Sequence, residues 1–453
     1  MSRGLARLTL ISIGIAAAAL SGACSATSIQ PLNPLAGSVR EQTAAFSVLY
    51  TFAGGTNGYV PVGGLVRDAS GAFYGTTYFG GANQRGTVYK LTPAGSGFTQ
   101  SILYSFAGGS DGAFPTGSLT IDRTGALYGT TLNGGSSQCE FGNGCGTVFR
   151  LTPSVNGYTE SVLHRFSPNS GGYNPYAGVV VAKNGALYGT AAHGGLHLTG
   201  AYCNTSSSSS GCGVVYELAP SGSSYAYRVL YSFGKQQVGF QPVGGLTAGA
   251  RGVLYGTAQD GGNFSGGAGT VFSLTPSGTK YRFAVLHFFK DTDGAFPQST
   301  LVAGAGGTLF GTTAMGGRQA CSGGCGTVFE LLPAGSKYTL RTLHSFDGKD
   351  GSDPAAGVTL GTGGVLYGTA AGGGSLKCHG GKVAGCGVLF ELVPSGKIYV
   401  EKTLYQFGNT TSGFYPSAGL IFAAGKVFGV AEFGGASPST CVTSDRCGTV
   451  FAF

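Results

Sequence analysis

FSVLYTF, Phe46–Phe52, opens the repetitive part of this chain, and GTVFAF, Gly448–Phe453, closes it. The first is a single strand phrase standing before any complete unit. The second ends a unit one strand short. An incomplete unit at one end and its missing strand at the other are what a closed ring requires.

The unit itself is read from its repeats. Leu127-Tyr128-Gly129-Thr130 recurs as Phe73-Tyr74-Gly75-Thr76, Leu187-Tyr188-Gly189-Thr190, Leu254-Tyr255-Gly256-Thr257, Leu309-Phe310-Gly311-Thr312 and Leu366-Tyr367-Gly368-Thr369. A decayed copy, Val427-Phe428-Gly429-Val430, ends the series. A Gly pair follows each copy, then a run such as GTVYKL (Gly86–Leu91) or GTVFEL (Gly326–Leu331). Next comes ILYSF (Ile102–Phe106) or its like, and GGLVRD (Gly63–Asp68) or its like precedes each unit. All four phrases are short, rich in β-branched and aromatic residues, and bounded by turn formers, as strands are. No apolar period near 3.6 runs for a helical length after Phe46. Each unit is therefore four antiparallel strands, a to d: GLVRD, FYGTT, GTVYKL and SILYSF in the first.

Seven units over Phe46–Phe453 average about 58 residues, somewhat above kelch spacing. The sequence thus predicts an all-β, seven-bladed β-propeller of four-stranded blades, closed by the N-terminal strand completing the last blade. Closure removes the free sheet edges that an open β-solenoid, the alternative, would keep. LYGTT, the Gly pair and the GTVF.L.P pattern together resemble the GloVer tandem-repeat family of exported bacterial proteins with varied anchors. The resemblance covers nearly the whole chain after the leader. It implies the repeat fold and export, and brings no activity with it.

The 453 residues include 86 Gly, 17 Pro, 29 Phe, 23 Tyr and no Trp, with only 10% charged. An apolar share of 42% is enough for a core. The formal charge of +8 is spread thinly. No basic run interleaves with aromatics, so nucleic acid is not an expected partner. At the N-terminus, Arg3 and Arg7 precede an apolar run from Leu8 to Leu20, then Ser21-Gly22-Ala23. That run suits a signal peptide and is too short to span a bilayer at about 20 residues. Cys24 then resembles a bacterial lipobox cysteine, although Ser21 stands where Leu is usual. Cleavage after Ala23 or Ala26 without lipidation is the alternative. The expected organisation is a signal peptide over 1–23, a tether over 24–45 and the propeller over 46–453. A monomer is expected, exported and held at the outer membrane or cell surface by a lipid on Cys24. Otherwise it is periplasmic or secreted.

Ten further cysteines form five local pairs between strands b and c: Cys139 with Cys145, Cys203 with Cys212, Cys321 with Cys325, Cys378 with Cys386, and Cys441 with Cys447. The second member always abuts the Gly that opens strand c. Variable gaps and two ligands per loop fit a metal badly, and no pair has CxxC spacing. Disulfides across loop necks fit both the variable gaps and an oxidising compartment. Units one and four carry Arg85 and Ala268 in place of the second cysteine.

His164, His287 and His344 replace the Tyr of the LYSF phrase and read as packing residues of strand d. His193 and His197 are four apart but cross a Gly pair, so a metal reading is weak; His379 reads as a solvated loop residue. The d–a loops GGSDGAFP (Gly108–Pro115), DTDGAFP (Asp291–Pro297) and DGKDGSDP (Asp347–Pro354) invite calcium at Asp291, Asp293, Asp347 and Asp350. Ordinary Asp-Gly turn chemistry is the stronger reading. GxSxG, HExxH and Walker patterns are absent.

In a four-stranded blade the d–a and b–c loops share one face. The residue before each Gly pair varies: Phe79, Asn133, His193, Asp260, Met315, Gly372 and Phe433. A fixed scaffold carrying one varied position per blade reads as a recognition surface, although simple drift of exposed positions accounts for it too. The expected function is a non-catalytic binding module for a glycan or a protein. The alternative is an extracytoplasmic polysaccharide hydrolase or lyase with its site over the central channel, for which Asp260 and His193 are the pair to examine. A structural or adhesive role is the third reading.

Overall fold

The computed structural model describes residues 45–453 other than 96, 137–138, 140–141, 169–170, 196–210, 235–237, 263–266, 336, 375–384, 409–410 and 436–446. The chain divides into two units, Met1–Ala44 and Ala45–Phe453. The expected leader, Cys24 and nearly all of the expected tether belong to the first and lie outside the described residues.

The second unit is a seven-bladed β-propeller built of seven four-stranded antiparallel sheets. In blade one, strand a is Val66–Arg67, b is Phe73–Thr77, c is Thr87–Ala94 and d is Gly97–Ser105. The seventh sheet joins the two ends of the repeat region. Ser47–Thr51 pairs with Thr449–Ala452, which pairs with Lys426–Ala431 and then Ile421–Ala423. The N-terminal strand is thus strand d of blade seven, and the ring is closed. Among the described residues no helix is long and apolar enough to cross a membrane.

Strand lengths differ from the sequence phrases in two ways. Strand a keeps only two or three ladder residues, as in Val66↔Tyr74 and Arg67↔Phe73. Near the axis the backbone leaves its own blade: the Gly64 N–H donates to Ser118 Oγ of blade two at 2.9 Å. The c–d hairpin is longer than expected, running through Pro93↔Phe98 to Ala94↔Gly97. Pairing of strand c with strand b ends at Leu91↔Phe73. Beyond that point the edge is free, and Pro93 leaves no ladder partner unsatisfied.

The glycine of the LYGT phrase is explained by its neighbour on strand c. A Cβ on Gly129 would lie 2.6 Å from Phe149 Cζ, and one on Gly75 would lie 2.4 Å from Tyr89 Oη. The aromatic ring of strand c lies directly on strand b, and only glycine leaves room for it. That ring in turn receives the last Phe of the preceding blade's strand d, edge-on. Phe52 meets Tyr89 at 5.1 Å, Phe106 meets Phe149 at 5.1 Å, Phe346 meets Phe390 at 5.1 Å and Phe407 meets Phe451 at 5.2 Å. The Phe of strand d is buried in all seven blades. Each such contact adds about 0.5–1.5 kcal/mol beyond the area it buries. In a chain without Trp, these pairs dock the blades.

A second seam lies further out. In every outer hairpin the Leu of the LYSF phrase is skipped by the ladder, so that Val88 faces Tyr104 while Tyr89 faces Ile102. This bulge re-aims the following Tyr or His towards the next blade. His164 stacks on Tyr227 at 4.1 Å, Tyr231 on Phe283 at 3.9 Å and Tyr405 on Phe46 at 3.7 Å. Tyr50 instead donates to Gln100 Oε1 at 2.8 Å. Burial pushes the His164 imidazole down to about 4, so it packs as a neutral ring.

Candidate functional site

Isolated two-residue bridges bring the d–a and b–c loops together on one face of every blade. Tyr59 pairs with Phe79, Ala113 with Asn133, Tyr173 with His193 and Phe240 with Asp260. Ala295 pairs with Met315, Ser352 with Gly372 and Phe414 with Phe433. All seven varied positions are therefore held by the same backbone device.

The residue following each of the seven d–a partners precedes a proline and has a left-handed backbone, from Val60 (φ 58°) through Asn174 (φ 54°) to Tyr415 (φ 62°). Seven non-glycine residues in that region are uncommon, and the surrounding bonds hold them there. Each donates its N–H to the preceding blade, at the residue just before the glycine of strand c. Asn174 donates to the Cys145 carbonyl at 2.9 Å, Asp353 to Cys325 at 3.1 Å and Tyr415 to Cys386 at 2.9 Å. Blades without cysteine use the same latch, through Phe114 to Arg85 at 2.8 Å and Phe296 to Ala268 at 2.9 Å. The following proline packs on that glycine: a Cβ on Gly326 would lie 2.5 Å from Pro354 Cδ.

The disulfides stiffen this latch. Cys139 is bonded to Cys145 and Cys321 to Cys325, with Cα separations of 4.9 and 5.1 Å. Cys212, Cys386 and Cys447 are disulfide-bonded too. Their expected partners Cys203, Cys378 and Cys441 lie outside the described residues, as do His197 and His379.

The varied side chains have different surroundings. Phe79 stacks on Tyr59 at 5.4 Å and meets Phe114 edge-on at 5.7 Å. Tyr78 stacks on Phe114 at 4.9 Å, with the Arg85 guanidinium 5.3 Å from the Phe114 ring centre. Across the ring closure, Phe433 packs on Phe414 and Tyr415. An aromatic arc thus runs over blades seven, one and two. Asn133 is buried and donates to the Gly144 carbonyl at 3.4 Å. His193 stacks on Tyr173 at 5.4 Å, and its Nδ1 lies 3.2 Å from Asn174 Oδ1. Asp260 is half-buried, and burial pushes its carboxyl up to about 6. Met315 is exposed. No hydrogen bond or ion pair between Asp260 and His193 is present among the described residues.

The channel widens at the axis into a cavity of about 460 Å3. The residue after each d–a proline lines it: Val62, Thr116, Tyr176, Val243, Gln298, Ala355 and Ser417. Its lining includes no Asp, Glu, His, Lys or Arg. Three groups near the mouth were not legible in the sequence. Burial pushes the Asp353 carboxyl up. Burial and the charges of Asp353 and Glu432 push the Tyr415 hydroxyl up. The Ser417 hydroxyl donates to Glu432 Oε1. Asp353 and Tyr415 occupy the pre-proline position that recurs in all seven d–a loops, and that recurrence was the available signal.

The Asp-rich loops are internally bonded. Asp293 is 3.1 Å from His287 Nε2 and accepts the Lys290 N–H at 2.9 Å. Asp350 is 2.9 Å from His344 Nε2 and accepts the Asp347 N–H at 2.8 Å. Asp347 accepts from Lys349 and Asp350, and Asp291 sits in a turn with φ 28°. Among the described residues one set of donors suits a cation: His344, Asp350 and Glu401 present ligand atoms within 4.8 Å of one another, at the seam of blades five and six. Burial, and then the charges of Asp350 and Asp347, push the Glu401 carboxyl up, while hydrogen bonds from His344 and Asp347 hold Asp350 down.

A family model described as the Gloeobacter/Verrucomicrobia repeat matches residues 36–203 and 197–440. No curated protein matches the chain. Among solved structures, a candidate 6-phosphogluconolactonase from Bacteroides uniformis is 11% identical, with a TM-score of 0.50, covering 85% of this chain and 96% of its own. A candidate glucose dehydrogenase from Thermus thermophilus is 15% identical, with a TM-score of 0.42, covering 72% and 94%. A protein from Lactobacillus plantarum is 10% identical, with a TM-score of 0.43, covering 77% and 85%. At these identities the likeness is one of fold alone.

Proposed function

The chain belongs to the Gloeobacter/Verrucomicrobia repeat family, and from that premise we propose that it is an exported, tethered binding module whose loop-rich face engages a glycan. One observation carries the reading: the backbone of that face repeats blade by blade, while the residue at the bridged position takes six identities over seven blades, Phe recurring only at Phe79 and Phe433. A fixed latch with a varied side chain separates the scaffold from the specificity it carries. The arc of Tyr78, Phe79, Phe114, Tyr415 and Phe433 favours a sugar over a protein partner, because aromatic faces and edges suit the C–H surfaces of sugar rings. We read the Asp-rich loops as turns rather than calcium sites, since their carboxylates already take backbone N–H and imidazole partners.

The test is a glycan array and a pull-down with the full chain, followed by Phe79→Ala, Met315→Ala and Phe433→Ala. Loss of the captured glycan in at least one variant that melts like the parent supports the reading. Unchanged capture in all three would refute it. The enzyme alternative has one observation of its own, the grouping of Asp353, Tyr415 and Glu432 beside the channel. Its test is turnover of the captured glycan by the parent and by Asp353→Asn.

A further inference from the structure

The face opposite the varied loops is built from the a–b and c–d turns, and its chemistry differs from theirs. The a–b turns of blades seven, one, two, three and four carry Lys426, Arg67, Arg123, Lys183 and Arg251, all exposed. The c–d turns of blades four, five and six add exposed Lys280, Lys337 and Lys397. Together these cations run round the whole rim. The acids among the described turn residues here are Asp68 and Asp122, and both are bound up in their own turns. Asp68 accepts from Ser70, Ala72 and Tyr74, and Asp122 from Thr124, Ala126 and Tyr128. By contrast, the described loop-rich face mixes Asp111, Asp260, Asp291, Asp293, Asp347, Asp350, Asp353 and Glu432 with Arg85, Arg165, Lys290, Arg318 and Lys349. Among the described residues the rim of a–b and c–d turns therefore carries a cation excess that the loop-rich face does not.

Exposed apolar side chains gather on the basic side. Val155, at a c–d turn tip, is 101% exposed, and Ile398, beside Lys397, is 62% exposed. Leu360 ends a strand a, and Leu332 and Val393 stand near the ends of strands c, also exposed. A groove of about 450 Å3 between blades two and three is lined by Arg123, Lys183, Tyr128 and Asp122, whose carboxylate is taken up by Thr124, Ala126 and Tyr128. Finally, strand d of any blade runs from the basic face to the loop-rich face. The N-terminal strand is such a strand, so Ala45 and Phe46 enter the propeller on the basic side. The sequence before them contains the apolar run Leu8–Leu20 and Cys24.

We infer that the basic face docks on a membrane surface carrying anionic phospholipid, with Arg123 and Lys183 taking a headgroup phosphate and Val155 and Ile398 dipping into the interface. Cations interleaved with exposed apolar tips are the combination that holds a peripheral protein at such a surface. The inference extends the tethered reading above: a tether entering at this face turns it to the membrane and leaves the varied loops pointing outward. A soluble polyanion would use the cations but has no use for the apolar tips.

The experiment is partitioning of the full chain onto phosphatidylcholine vesicles with and without phosphatidylglycerol. The ratio of the two affinities is the readout. Each lysine near an anionic surface contributes about fivefold, so Lys280→Ala, Lys337→Ala and Lys397→Ala combined lower the ratio roughly 100-fold. Removing Lys290, Lys349 and Arg318 from the opposite face leaves it unchanged, and raising the salt to about 1 M abolishes it. Cys24→Ser weakens binding to both vesicle types equally if the tether is lipid, and leaves the ratio intact, so a failure of the tether is distinct from a failure of the face. A ratio near one for the parent, or the same ratio in the triple lysine variant, overturns the inference. Lysine-dependent binding to a soluble acidic polysaccharide without a gain on anionic vesicles overturns it as well, by assigning the face to a glycan.

Discussion

Phe52→Ala tests whether the ring is closed in solution. Phe52 is 1% exposed, meets the Tyr89 ring edge-on at 5.1 Å, and donates its N–H to the Gly448 carbonyl at 3.1 Å. It is near the N-terminal end of the repeats, where an open array would fray at little cost. In a closed ring its seam is equivalent to the six others. Truncating a fully buried Phe costs about 3–5 kcal/mol. The natural control is Phe106→Ala, at an internal seam with the same 5.1 Å geometry against Phe149. Urea unfolding of the full chain, followed by circular dichroism, should place the two losses within about 1 kcal/mol of each other. A double-mutant cycle with Tyr89→Ala should return a coupling of about 0.5–1.5 kcal/mol. A loss below about 1 kcal/mol for Phe52→Ala beside the full loss for Phe106→Ala would refute the closure argument.

Two further outcomes are expected. Glu160 sits half-buried near Asp111, and burial first, then that charge, pushes its carboxyl up from 4.5 to about 7. The folded state therefore holds a proton that the unfolded state releases, so this group's contribution is fully present below about pH 4.5 and is lost as pH rises through 7. Glu160→Gln should flatten the fall in melting temperature between those limits, and an unchanged profile would exclude Glu160 as its source. Replacing Cys321 and Cys325 together by Ser should cost on the order of 2 kcal/mol in chemical denaturation, because the loop they close is short. The same change should speed hydrogen exchange at the Asp353 N–H, which the Cys325 carbonyl accepts; unaltered exchange there would separate the disulfide from the latch.

Much of the architecture was legible because repetition exposes it. LYGT, recurring beside a Gly pair, marks strand b, and the complementary phrases at Phe46 and Gly448 disclose the closure. The lengths of strands a and c were misread, for different reasons. Strand a loses ladder bonds to a neighbouring blade, as at Gly64 and Ser118. Strand c gains residues because a free edge tolerates Pro93. Likewise, His164 and His344 read as packing residues, but not as residues that reach Tyr227 and Glu401 of the next blade. The intervening bulge is invisible in a strict alternation of side chains.

Alone, the sequence determined the number of blades, the order of strands, the shared face of the d–a and b–c loops, and the positions that vary upon it. Those follow from local rules: a period of two, the turn residues, and the count of repeats. The tertiary structure decided which residues meet across the seams, why seven pre-proline residues adopt a left-handed backbone, and where the cations of separate turns gather. Asp353, Tyr415 and Glu432 come from three different loops, and Lys397 and Lys426 from different blades. Only the curvature of the ring brings such residues to one mouth or one rim, because it converts a fixed step along the chain into a fixed angle around an axis.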